Sequence, residues 1–409
     1  MKSATRYGAS PWADALPATA RTAYPRLAES AEVPVVIVGG GLAGAAAAYA
    51  FSAAGIRVAV VEAGRLGAAG TAGCAGHVLA EPGGDYLDHE ARHGRRVARA
   101  LWQSTRRAAL ELQSAVKRLK LRCGLEALDV VTWARGDEVK RLRREQQARK
   151  AAGLEASWVT RRALASLGGD ADAGLRTHGH AHLDPLRACL GFARAAVSRK
   201  ALVFERSPVT SVAFDARSVR VTSGKAVLRA ETVILATGEP IAPFGALERH
   251  FESRDAYSVV TPTLPASVRK AAPDRGAILA DRIDPPHRLT WIGDERILWS
   301  GGDQPRTPER VRDKVIVQRT GQLMYELSLV LEPISGIQPA YGWHAPYSRT
   351  VDGLPYVGPH RNYPRHLFAW GLGTNVASAF LASRILLRHY TGQADKDDET
   401  FGFARFGGR

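Results

Sequence analysis

Apolar residues run almost unbroken through VPVVIV, ending at Val38, and again through IRVAVVE, ending at Glu62. Short runs of this kind, rich in β-branched residues and followed by glycine, predict strands buried on both faces. The Ala-rich stretch between them, to about residue 54, predicts a buried helix. Helical spacing then covers residues 86 to about 119, LDVVTWA alternates like a strand, and 138–153 returns to a helix. HLDPLRACLGFARAAVSRK predicts a helix with Pro185 in its first turn. ALVFERSPVTSVAF, VRVTS and ETVILATG predict strands, the last short and buried. Residues 253–301 suit an antiparallel sheet of short strands, 310–331 a helix, and HLFAWGLGTNVASAFLASRILLRHY a strand–loop–helix unit. Residues 1–32, polar and rich in Pro and Ala, predict an extended arm.

Strand–helix–strand units therefore lie at both ends and in the middle, with other material between them. The expected fold class is α/β: a discontinuous Rossmann-type nucleotide-binding domain from 1–100, 178–245 and 340–409, plus a substrate domain with an antiparallel β-sheet and helices from 101–177 and 246–339. No charged side chain occurs from Val33 to Ile56, a length that could span a bilayer. Gly39, Gly40, Gly41 and Gly44 interrupt it, so it reads as strand, turn and helix. No transmembrane segment or signal pattern is expected, and the predicted location is cytoplasmic. Three cysteines without a CxxC spacing argue against a disulfide framework or a structural zinc. The 409-residue chain carries a formal net charge of +16, with basic knots at 92–99 and 140–150. No nucleic-acid recognition module accompanies that charge, so nucleic acid is not an expected partner.

The densest chemical signal is Gly39-x-Gly41-x-x-Gly44 with Leu42 and Ala43 inside it, between a strand and a helix, followed by the acid Glu62 and Ala63. The glycines permit a tight turn and close approach of a pyrophosphate, the helix N-terminus favours its negative charge, and the acid accepts from a ribose hydroxyl. That spacing alone does not separate NAD from FAD. The next segment, EAGRLGAAGTAGCAGHVLAEPGG, is a long loop of small residues suited to wrapping a larger cofactor. Ala236-Thr237-Gly238 ends a strand, and Gly371-Leu372-Gly373-Thr374-Asn375 precedes a helix whose N-terminus could stabilise charge on a reduced flavin. In this order the segments favour FAD.

With these residues in place, the chain resembles the D-amino-acid oxidase-like (DAO) family of FAD-dependent oxidoreductases, which includes glycine oxidase, sarcosine oxidase and amine dehydrogenases. The resemblance runs from SPWADALPATARTAYPRL through VVIVGGGLAG, VILATGEP and SGGDQPR to WHAPYSRTVDGLPYVGP and GLGTNVASAF. It implies FAD held without a covalent link, since the tether residues of family members do not align onto Cys74, with pyrophosphate at Gly39–Gly44 and ribose at Glu62. It also implies Arg65 and Thr71, Ala72, Gly73, Cys74 and Gly76 beside the pyrophosphate and flavin, and adenine at the backbone of Val209. Gly238 would flank the dinucleotide, and Gly353, Gly371, Gly373, Thr374, Asn375 and Val376 would enclose the ring. The sequence departs from the family in two places. Thr71-Ala72-Gly73-Cys74 replaces a Ser-Gly-Arg-Asn pattern, and Tyr347 stands where glycine oxidase-like members carry a carboxylate-binding Arg. Arg349 lies two positions on, and Arg288 in PPHRLTW could supply the carboxylate partner instead.

The implied reaction is oxidation of a C–N bond of an amine or N-substituted amino acid by hydride transfer to flavin N5, giving an imine that hydrolyses, with electrons passing to oxygen or another carrier. Hydride transfer demands orientation more than a strong base. Tyr347, His344, Asn375 and Arg288 are the catalytic candidates. On a strand, Tyr341, Trp343, Ala345 and Tyr347 share one face as a possible aromatic wall, and His344 faces the other way. His77 could reach the flavin edge or bond within its loop, and Asn375 could meet the flavin or cap its helix. His178, His180 and His182 alternate without an evident acid or Cys partner, so no metal is expected; Asp352 is expected to fix the DGLP turn. Three other readings remain: a flavin-dependent RNA-modifying enzyme, an NAD(P)-dependent dehydrogenase, and a flavin-binding protein without catalysis.

Overall fold

The computed structural model describes residues 4–166 and 171–406; the first three residues of the expected arm, 167–170 and the last three lie outside the described residues. Two sheets organise the described residues. The first has eight strands, and five of them run parallel in the order Tyr363–Trp370, Ala226–Gly238, Ala31–Val38, Val58–Val61 and Leu202–Phe204. Val35, Val36 and Ile37 are wholly buried, which is why their sequence shows no polar alternation. Helix Leu42–Ala53 packs on this sheet between helices Pro185–Val197 and Val376–Tyr390. Its buried Ala45–Ala48 run keeps that packing close.

The second sheet has ten strands and is mostly antiparallel. Its order is Arg6–Tyr7, Tyr341–Thr350, Phe251–Val260, Arg296–Pro305, Arg288–Ile292, Ala277–Ala280, Glu126–Ala134, Ala173–His182 and His77–Val78, with Ser157–Thr160 beside Ala173–His182. Helix Arg312–Val330 covers it through Ile316, Leu323 and Leu327, which join Trp291 and Trp299 in a separate core.

Several elements differ from the sequence expectation for local reasons. The helix expected over 86–119 is two, Tyr86–His93 and Arg95–Arg118, because Gly94 takes φ +80° between them. ALVFERSPVTSVAF forms Leu202–Phe204 and Ser211–Phe214 with a loop between. The arm contains the short helix Pro11–Asp14, and Arg6–Tyr7 pairs in parallel with Tyr341–Gly342. Strands Ala173–His182 and Tyr341–Thr350 both lie in the second sheet, although residues 178–182 and 341–350 fall within the stretches given to the nucleotide domain from sequence. No helix among the described residues is long and apolar enough to cross a membrane.

Candidate active site

Where the parallel strands end, two cavities meet. The first, of 490 Å³, is lined by Gly39, Gly41, Leu42 and Ala43 at the strand–helix turn, and by Glu62, Ala63, Arg65 and Val209 beside it. Thr71, Cys74, Ala236, Thr237 and Gly238 continue the wall, and Gly373, Thr374, Asn375 and Val376 end it at the N-terminus of helix Val376–Tyr390. Gly44 does not line the cavity but makes the turn possible: a Cβ there would sit 1.9 Å from the carbonyl oxygen of Gly39. Gly39 itself has φ +106°, and a Cβ on it would lie 2.5 Å from the carbonyl oxygen of Ala236. Ala72, Gly73 and Gly76 also stand outside this cavity. The carbonyl of Gly73 accepts from the indole of Trp343 at 2.8 Å, and that of Gly76 from the Leu183 amide at 3.1 Å.

The first cavity fits an extended dinucleotide on its own chemistry. Among the described residues, the N–H groups of Gly41 and Ala43 at the start of helix Leu42–Ala53 have no acceptor, and both residues line the cavity. Glu62 accepts from the Gly40 amide at 2.6 Å and the Gly64 amide at 2.8 Å, which fixes its carboxylate and leaves lone pairs for ribose hydroxyls. Neither the N–H nor the carbonyl of Val209 has a backbone partner among the described residues, as an adenine contact requires. Thr71 Oγ1 caps the helix by accepting from the Leu42 amide at 2.9 Å. The Cys74 thiol donates to the Thr374 carbonyl at 3.3 Å, and burial pushes it up to about 11, so it stays protonated.

The second cavity, of 820 Å³, lies under the second sheet. Tyr347, Leu372, Gly373, Thr374 and Asn375 line both cavities and form the wall between them. Gly353 and Gly371 line the second alone. Arg288 enters it from strand Arg288–Ile292, and among the described residues its guanidinium has neither a hydrogen-bond acceptor nor a carboxylate within 4.0 Å. Burial pulls the Arg288 pKa down, against the fields of Asp303, Asp281 and Glu81. The Tyr347 hydroxyl donates to Asp303 Oδ2 at 2.6 Å, and burial together with that carboxylate raises the Tyr347 pKa well above its ordinary value. Burial also raises the Asp303 pKa. Arg349 reaches the same cavity but is held by Glu252 at 2.9 Å.

The remaining candidates divide plainly. Asn375 caps its helix through the Ala377 amide at 3.0 Å, and its side chain also accepts from Leu79 N and donates to the carbonyls of Leu79 and Glu81. It therefore staples the wall of one cavity to the other. His344 lines neither cavity: it points away from Tyr347, toward the side of Asp255, Arg306 and Arg312, and its ring meets Tyr257. Of the expected aromatic wall only Tyr347 faces the second cavity, since Trp343 bonds Gly73 and Tyr341 donates to Asp14 at 2.7 Å. His77 bonds Thr290 Oγ1 at 2.8 Å and lines neither cavity. His178, His180 and His182 bond Asp129, Thr177 and the Ala75 carbonyl respectively. Asp352 holds its turn by accepting from the Leu354 amide at 3.2 Å and is anchored by Arg405 at 2.7 Å.

Sequence reasoning did not single out Asp303 or the buried ion-pair group of Glu81, Arg149 and Glu145, of which Glu81 and Arg149 line the second cavity. Arg149 pairs with Glu81 at 2.9 Å and with the wholly buried Glu145 at 2.6 Å, and Glu145 accepts from the amides of Tyr86 and Leu87. These residues come from segments far apart in sequence, and only the i, i+4 spacing of Glu145 and Arg149 was visible in the chain.

Known proteins similar to this chain share its family and its fold. A family described as DAO, FAD dependent oxidoreductase, matches residues 34–388. The chain is 27% identical to glycine oxidase of Bacillus licheniformis over 82% of its own length and 86% of that protein. It is 26% identical to the probable oxidoreductase OrdL of Haemophilus influenzae over 92% of its own length and 86% of that protein. Gamma-glutamylputrescine oxidoreductase of Escherichia coli is 24% identical over 92% of this chain and 87% of its own. Among solved structures, glycine oxidase from Geobacillus kaustophilus superposes with a TM-score of 0.75 at 18% identity, covering 91% of this chain and 99% of that one, a likeness of fold. The chain belongs to the DAO family of FAD-dependent oxidoreductases.

Proposed function

We propose that this protein oxidises the C–N bond of an amine or N-substituted amino acid that carries a carboxylate, giving an imine that water hydrolyses. The observation that carries the reading is the shared wall. Among the described residues, one cavity suited to the dinucleotide and one with an unpaired guanidinium share Tyr347 and the 372–375 loop as their common wall. Relatives named for glycine and gamma-glutamylputrescine are consistent with an amine substrate.

Bound FAD would supply the hydride acceptor. Gly41 and Ala43 would hold its phosphates with their free N–H groups, Glu62 its ribose, and the N-terminus of helix Val376–Tyr390 would face the wall with its positive dipole end. Arg288 would fix the substrate carboxylate and so the direction of the neighbouring C–H bond. Tyr347 would bound the substrate on the side of the second sheet, and Asn375 would act as a positioning residue by keeping 79–81 against the wall. Electrons would pass to oxygen or another carrier.

The test is a kinetic comparison on amino acids and their decarboxylated amines. Arg288→Gln should raise KM for the carboxylate-bearing substrates on the order of 10- to 100-fold, the worth of a charge-assisted contact, and leave the simple amines unchanged. Equal effects on both classes would remove Arg288 from substrate recognition.

A further inference from the structure

Three strands of the second sheet bring Arg288, Asp303 and Tyr347 to the second cavity, with Arg349 beside Tyr347 already held by Glu252. Tyr347 occupies only one oxygen of Asp303, by its donation to Oδ2 at 2.6 Å. Among the described residues, Oδ1 has no hydrogen-bond donor, and no basic nitrogen lies within 4.0 Å of the carboxylate. Arg288 is equally without a partner at that distance.

The other acids whose fields reach Arg288 are already engaged. Glu81 is held by Arg149 at 2.9 Å, and Asp281 by His287 at 2.7 Å. The charged groups whose fields act most strongly on Asp303 are Arg288, Arg254 and His287. Of these, Arg254 donates to the Asp303 backbone carbonyl at 3.2 Å, and His287 is taken by Asp281. Two opposite charges thus face one cavity, each partly withdrawn from water, and each feels the other's field without a hydrogen bond or ion pair between them within 4.0 Å. Withdrawal without pairing is costly, and a ligand bearing the two complementary charges relieves both costs at once.

We propose that Arg288 and Asp303 together recognise a zwitterion, Arg288 binding the carboxylate and Asp303 the ammonium, and that Asp303 accepts the proton the ammonium must lose before oxidation. This rests on the C–N oxidation proposed above and narrows its substrate to an α-amino or N-alkyl amino acid. The proton passes from the substrate nitrogen to Asp303, leaving the amine neutral and the carboxyl protonated. The Cα–H bond then breaks with its electron pair, which leaves as hydride to the oxidised cofactor, while the nitrogen lone pair forms the C=N bond. Substrate is oxidised by two electrons, the cofactor reduced by two, and the proton stays on Asp303 until product leaves. Tyr347 is a positioning residue here: its hydrogen bond fixes the carboxylate with Oδ1 toward the cavity.

The test uses the FAD-loaded protein and three probes of matched shape that cannot be oxidised. They are 2-aminoisobutyrate, which lacks an α-hydrogen, isobutyrate, which lacks the amine, and tert-butylamine, which lacks the carboxylate. Dissociation constants come from calorimetry and from the shift in flavin absorbance. Wild type should bind 2-aminoisobutyrate about 10- to 100-fold more tightly than either truncated probe, as expected for a charge-assisted hydrogen bond. Asp303→Asn should lose that advantage while holding isobutyrate to within about threefold, and Asp303→Glu should recover part of it. With an oxidisable amino acid, Asp303→Asn should slow anaerobic flavin reduction about 100-fold near neutral pH, and recover as rising pH supplies the neutral amine from solution.

The inference is overturned if Asp303→Asn binds 2-aminoisobutyrate as wild type does, if it loses isobutyrate equally, or if wild type binds none of the probes. Reduction of wild-type flavin by amines lacking a carboxylate, without binding of 2-aminoisobutyrate, would remove the zwitterion pair and leave C–N oxidation standing. Failure of every amine and amino acid to reduce the flavin would remove both.

Discussion

Replacing Gly44 with Ala places one methyl group where the first strand and its helix touch. The new Cβ would lie 1.9 Å from the carbonyl oxygen of Gly39 and 3.0 Å from its carbonyl carbon. An ordinary contact of this kind is about 3.4 Å or more, so helix and turn must separate by on the order of 1.5 Å. The obstructing atoms are backbone, and no rotamer change relieves them. Overpacking of this kind costs about 1–3 kcal/mol, and in a protein of this size that lowers Tm by several degrees. The larger effect falls on the cofactor, because the displaced helix start carries the free N–H groups of Gly41 and Ala43. Loss of two charge-assisted hydrogen bonds predicts FAD binding weaker by at least about 100-fold. Apoprotein titrated with FAD, followed by flavin fluorescence, reads the constant directly. Gly321→Ala is the control: it lies in helix Arg312–Val330 with open space around its Cβ, and should keep FAD affinity and gain up to about 1 kcal/mol of stability. A Gly44→Ala protein whose FAD affinity equals wild type would refute the assignment of this turn to the pyrophosphate.

Further outcomes follow from the buried charges. Arg149→Met leaves Glu145 wholly buried and Glu81 without its cation, and should cost about 3–5 kcal/mol in denaturant unfolding; an unchanged midpoint would contradict the network. Burial pushes His180 and His182 down to about 4 from an ordinary value of 6.5, so between these values the unfolded chain binds protons that the folded chain refuses. Stability should therefore rise with pH across that window and level off above it, and His182→Gln should flatten the slope in urea unfolding measured at each pH. The protein denatured from its FAD complex should show the mass of the chain alone, since the Cys74 thiol is held protonated at about 11; a mass increased by flavin would contradict non-covalent binding.

Much of the first sheet was legible because its signals are local. Strand, turn, helix and acid fall within residues 31–62, and the turn glycines are dictated by contacts that chain neighbours make. Strand parity also placed Tyr347 and Trp343 on one side and His344 on the other. Parity could not say which aromatic faces a cavity, and Trp343 and Tyr341 are spent on bonds to Gly73 and Asp14. The substrate side was less legible. Arg288 and Asp303 reach one cavity from adjacent antiparallel strands, and their chemistry depends on what each fails to contact. Glu81 and Arg149, 68 residues apart in sequence, illustrate the same limit. The split at Gly94 was missed because helical spacing continues on both sides of a single left-handed residue.

The two cavities and the wall between them carry the proposed chemistry. The deciding measurement is the visible spectrum of the FAD-loaded protein during anaerobic addition of amino acids, N-alkyl amino acids and simple amines. The oxidised-flavin absorbance should bleach with amino acids or N-alkyl amino acids, and Arg288→Gln should require far higher concentrations of them. Flavin that no member of the panel bleaches, in protein shown to bind FAD fully, would contradict C–N oxidation at this site.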